Sequence, residues 1–100
     1  MALLDEAKGA LRLTAPPAAI ETEIADLIAA AQAELQLTGI LPEKANSETD
    51  PLIKRAVLVY VKANFGWDNP DAEKYQQSFE SLKIHLALSA EYTLSEEGTP

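Results

Sequence analysis

The apolar positions of the chain fall into four stretches of helical spacing, separated by prolines and glycines. Between Leu3 and Leu13, the residues Leu4, Ala7 and Leu11 recur at intervals of three and four, which predicts a short helix stopped by Thr14-Ala15-Pro16-Pro17. Ile20, Ile24, Leu27, Ile28, Ala31 and Leu35 trace one stripe of a longer helix over Pro17–Leu37. Gly39 fits the position just past its end, with Ile40 folding back on Leu35. Residues 41–49 hold Pro42, Asn46 and Ser47 without periodicity and read as a surface loop.

Asp50-Pro51 is a helix start: the Asp side chain caps free backbone N–H groups, and Pro51 at the first helical position lacks a donor that would have no partner there anyway. The helix that follows, Pro51–Phe65, is apolar on nearly every side and is expected at the centre of the fold. Its Val57, Val59 and Val61 alternate as in a strand, but the stop and start signals at both ends argue for a helix. Gly66 ends it, and Asn69-Pro70-Asp71 begins another over Pro70–Glu91 by the same device. There Ala72, Tyr75, Phe79, Leu82, Leu86 and Ala90 form a seam suited to a neighbouring helix. The expected fold class is therefore all-α: a small bundle of three main helices plus a short N-terminal one, with a C-terminal αα-hairpin. Val57, Tyr60, Val61, Phe79, Leu82 and Leu86 are its expected core. The helical domain spans 1–92, and 93–100 is expected to be a disordered acidic tail.

One hundred residues make one domain, and 17 of its apolar residues are alanine, so the core is thin and association with other copies is a ready source of stability. A net charge of -8 repels a nucleic-acid backbone. The absence of cysteine removes thiolate zinc sites, iron–sulfur clusters, disulfides and Cys nucleophiles together. The acidic start Met-Ala-Leu-Leu-Asp-Glu lacks the basic opening of a signal peptide, and no apolar run is long enough for a membrane span. The expectation is a soluble protein, intracellular at synthesis, with no membrane partner.

Candidate chemistry is sparse. His85 is the only histidine, with no second one to share a metal, and reads as a surface or interface residue. Asp68, Asn69, Asp71 and Glu73 lack the glycine and terminal glutamate of a calcium loop, and helix capping accounts for them. There is no phosphate-binding glycine loop, serine elbow or paired-histidine motif. No catalytic residue, cofactor or metal is expected, and the protein is not read as an enzyme. Charge, by contrast, is segregated. Pro17–Leu37 carries Glu21, Glu23, Asp26 and Glu34 and no base, whereas Asp50–Gly66 sets Lys54, Arg55 and Lys62 against Asp50 alone. A solvated face is the plain reading of each. The sharper one is that opposite signs on different helices let copies pack side by side, which makes Glu21, Glu23, Asp26, Lys54 and Arg55 subunit-interface candidates. Trp67, between two helices, is either a plug over the hairpin end or an anchor for a neighbour.

The runs Asp50-Pro51-Leu52-Ile53-Lys54-Arg55-Ala56-Val57, Tyr60-Val61-Lys62-Ala63-Asn64-Phe65-Gly66 and Asp68-Asn69-Pro70-Asp71-Ala72-Glu73-Lys74-Tyr75 resemble the tailed-bacteriophage head–tail connector family, whose members are described as possible DNA-packaging proteins. Leu82 through Tyr92 continues the resemblance; Leu4 through Lys8, and Leu27 through Ala31 on to Gly39-Ile40, share it more weakly. It implies a structural adaptor of a phage or prophage, forming a homo-oligomeric ring, expected to be dodecameric, beneath the portal protein. Such a ring extends the DNA channel, lets DNA pass without specific binding, and docks a tail-completion protein. It sits at the virion head–tail junction after assembly in the host cytoplasm. The alternative is a free acidic helical protein acting as a DNA mimic or inhibitor of a host enzyme, which requires regularly spaced acids over one whole surface.

Overall fold

The computed structural model describes residues 2–66 and 70–93. It contains α1 (Ala2–Ala10), α2 (Ala18–Leu37), α3 (Pro42–Ala45), α4 (Pro51–Asn64), α5 (Ala72–Ala87) and α6 (Ala90–Thr93), with no strand among the described residues. Trp67, Asn69 and the tail from residue 94 lie outside them; the helix expected from Pro70 starts at Ala72, with Asp71 rather than Asn69 at its cap position and Pro70 before it, and Thr93 itself closes α6.

Side-chain bridges set the helix directions. Lys8 of α1 meets Glu21 of α2 at 2.8 Å, Lys54 of α4 meets Glu6 of α1 at 3.2 Å, and Lys83 of α5 meets Glu34 of α2 at 3.4 Å. The start of α1, the end of α2, the start of α4 and the end of α5 consequently share one end of an up-down-up-down bundle. The apolar stripes converge on one core of Leu3, Ala7, Ile24, Ile28, Ala31, Leu35, Ile40, Ala45, Ile53, Ala56, Val57, Val61, Phe79, Leu86 and Tyr92. Its central helix is α4, which packs against α1, α2 and most extensively α5, giving the expected hairpin. Of the six residues assigned to the hairpin core, Val57, Val61, Phe79 and Leu86 are buried, while Tyr60 and Leu82 pack against its edge half-exposed. The Tyr60 ring meets Phe79 edge-on at 4.9 Å.

Three local readings require correction. The first helix stops at Ala10 rather than Leu13 because Arg12 turns left-handed at φ 61, the Leu13 N–H reaching the Lys8 carbonyl and the Arg12 N–H that of Gly9. This is a glycine-type helix end made without glycine, so its usual signal is absent. The surface loop 41–49 contains α3: Pro42 occupies the first helical position, and Ala45 is fully buried. The last helix breaks after Ala87 and resumes as α6. The break lets the Tyr92 carbonyl accept the Leu41 N–H at 2.9 Å and its hydroxyl donate to the Asp50 carboxylate, 3.0 Å from Oδ2. A continuous seam is overridden here by tertiary contacts.

Asp50 also caps α4, its Oδ1 accepting from the Leu52 and Ile53 N–H groups at 2.9 and 3.2 Å. One carboxylate thus starts the central helix and holds the last one. Burial first, then the bond to Asp50, push the Tyr92 hydroxyl up to about 12. The folded chain keeps this proton where the unfolded chain loses it. The resulting stability is complete below pH ~10 and disappears as pH rises to ~12.

Two predictions follow from this packing. Phe79→Ala should cost about 3–5 kcal/mol and half-exposed Leu82→Ala less than about 2 kcal/mol in urea denaturation, because only the former empties a fully buried site. The stability difference between the parent chain and Tyr92→Phe should shrink between pH ~10 and ~12; a difference constant across that window contradicts the Asp50 contact.

Candidate subunit interface

Because Ile53, Ala56, Val57 and Val61 turn α4 inward, Arg55, Leu58, Val59 and Lys62 fall on its other side. Ala10 at the end of α1 and Tyr75 and Ser78 of α5 flank that side. Together with Pro51 and Lys54 they enclose an open groove of about 460 Å³. Its floor is apolar and its rim cationic. Lys62 lies 5.2 Å above the Tyr75 ring, Lys54 is drawn toward Glu6, and Arg55 is exposed with no ion pair among the described residues.

Helix α2 presents the opposite charge. Ile24, Ile28, Ala31 and Leu35 face the core, so Ala19, Thr22, Glu23, Asp26, Ala29 and Ala33 are exposed. Glu23 and Asp26 have no ion pair among the described residues, whereas Glu21 is held by Lys8 and Glu34 by Lys83. The Glu21 hydrogen bond raises the Lys8 pKa above its ordinary value against the effect of burial, with Asp5 adding to it. Burial lowers that of Lys83, but Glu80 and Glu34 outweigh it and leave it raised. Since α2 and α4 bury their inner stripes in one core, the acidic stripe and the cationic groove lie on opposite sides of the pair. Of the interface candidates, Glu23, Asp26 and Arg55 are therefore directed outward, Glu21 and Lys54 also serve the fold, and Trp67 lies outside the described residues.

A third surface is the end of the bundle where Leu41, Asp50 and Tyr92 meet. Among the described residues, the four exposed large apolar side chains, Leu37, Leu52, Ile84 and Leu88, are placed near it, with Leu37 and Leu88 each 83% exposed. His85 is exposed nearby, and no cluster of three His, Cys, Asp or Glu residues suited to a metal ion occurs among the described residues. Among the described residues, no helix is long and apolar enough to cross a membrane.

A family model described as phage connector protein matches residues 3–93. The chain belongs to the phage connector protein family. No curated protein and no solved structure in the comparisons matches it. The match spans α1 to α6 almost completely, so both charged faces belong to the connector unit.

Sequence reasoning found the connector's charges but not the groove floor. Periodicity places Leu58 and Val59 in a helix apolar on nearly every side, although cations at 54, 55 and 62 interleaved with apolar 58 and 59 already mark one face. Tyr75 meets α4 as the seam expects, its ring beneath Lys62, and in doing so also lines the groove. Nothing local marks Tyr92 as the partner of Asp50, 42 positions away.

Proposed function

We propose that the chain assembles head to tail into a closed ring at the head–tail junction of a tailed phage, beneath the portal, where it extends the DNA channel and receives tail-completion proteins. A dodecamer matching the portal is the assembly expected from the family resemblance. The observation that carries this reading is the placement of an acidic stripe and a cationic groove on opposite sides of the α2–α4 pair. A repeated heterologous contact needs two different, complementary patches on each copy, and a closed ring uses both on every subunit. The apolar end, distinct from both flanks, leaves a surface for the next protein along the axis. A net charge of -8 suits a channel through which DNA slides without specific binding. The role needs no active site, and the ring needs no cofactor.

The DNA-mimic alternative is less well supported, because it needs free carboxylates in regular array. Glu6, Glu21, Glu34 and Glu80 are instead spent on Lys54, Lys8 and Lys83, and Asp50 on its own helix and Tyr92.

Arg55→Glu tests the assembly without removing an intrachain pair, whereas reversal of Lys54 would also break the contact with Glu6. Helical circular dichroism should be unchanged, and rings seen by mass measurement, alone or with the matching portal, should disappear. Asp26→Lys in the same chain should partly restore them. Rings that persist in Arg55→Glu remove the charge argument.

A further inference from the structure

We infer the seat by which neighbouring copies join: the outer face of α2 from one copy lies in the α4 groove of the next, antiparallel to α4, with Asp26 on Arg55. This rests on the ring reading and specifies its joint.

The groove itself asks for an acidic helix. Its length follows α4 from Pro51 to Lys62, close to three turns or about 17 Å, and it is walled by a second helix through Tyr75 and Ser78. A shallow trough between two helices, with an apolar floor and cationic rim, fits the mode in which one helix face lies in another protein's groove. An acidic occupant is favoured because Arg55 is exposed and without an ion pair among the described residues, and its planar guanidinium suits a carboxylate.

The exposed face of α2 supplies that helix. Asp26 stands at its middle, Glu23 beside it, and Thr22 and Ala29 one turn to either side. The small side chains let a second helix axis approach to about 8 Å, the short end of ordinary helix packing. Of the described helices longer than a single turn, no other combines exposed acids lacking an intrachain ion pair with so low a profile: α5 carries exposed Glu73 but also Lys74 and the long Gln77.

Orientation follows from topology. Within one copy α2 and α4 run in opposite directions, since Leu41 after α2 and Asp50 before α4 both bond to Tyr92. A rotation that keeps the bundle upright around a channel leaves every α2 antiparallel to every α4. With Asp26 at Arg55, the next contact down α4 is Thr22 at Val59. A parallel seat would put Ala29 there instead.

The chain contains no cysteine, so introduced pairs report without background. Thr22→Cys and Val59→Cys copies, mixed under mild oxidation in the assembled state, should yield a disulfide-linked pair containing one of each. The double variant should give a ladder ending at the ring, and each single variant alone should remain unlinked. Ala29→Cys with Val59→Cys should link at least tenfold less. Rings of correct mass without the Thr22–Val59 link, or with the Ala29–Val59 link in its place, overturn this seat while leaving the ring intact. The same result follows if another segment or phage protein proves to occupy the groove. If no ring forms by mass even with portal present, the ring reading falls and the seat with it. Self-linking of Thr22→Cys overturns the head-to-tail contact in favour of a symmetric one.

Discussion

With only 30 large apolar side chains to distribute among its helices, the chain can build one core, and one helix has to run through it. That helix is α4. Ile53, Ala56, Val57 and Val61 bind it to α1, α2 and α5 at once. The arrangement also limits what remains outside. A helix committed inward on one side has only its other side for recognition, and in α4 that side holds Arg55, Leu58, Val59 and Lys62. The same reasoning applied to α2 leaves Glu23 and Asp26 outward. The two charged faces are thus the reverse sides of the residues that hold the fold together.

The end of the bundle depends on a smaller device. Asp50 caps α4 with one oxygen and receives the Tyr92 hydroxyl, while the Tyr92 carbonyl ties down the segment after α2. Three parts of the chain are joined by a single buried tyrosine and a half-buried carboxylate. Around this junction the surface is apolar, with Leu37, Leu52, Ile84 and Leu88 exposed. Flank and end surfaces therefore differ in character.

Much of this was legible in the order of residues. The stripe of α2, the Asp50-Pro51 start and the central position of α4 follow from periodicity and capping, which act within a turn or two of the chain. What was not legible depended on distance or on missing punctuation. Arg12 ends α1 in a conformation usually marked by glycine, and Pro42 opens a helix in a segment too short to show a period. The break after Ala87 has no local cause; it exists because Tyr92 reaches Leu41 and Asp50. Charge segregation was visible in the order of residues, with acids over Pro17–Leu37 and bases over Asp50–Gly66. Which charges were already engaged was not, because Lys8–Glu21 and Lys54–Glu6 bring together residues 13 and 48 positions apart.

A thin core, opposite charges on opposite flanks and membership of the phage connector family lead to one central claim, that each copy offers its neighbour a face it does not itself present in return. The mass of the chain in solution over a range of concentrations, alone and with the matching portal, tests this most directly. The account predicts one closed oligomer of fixed mass, with no further growth as concentration rises. A symmetric dimer as the largest species under every condition, portal included, would contradict it.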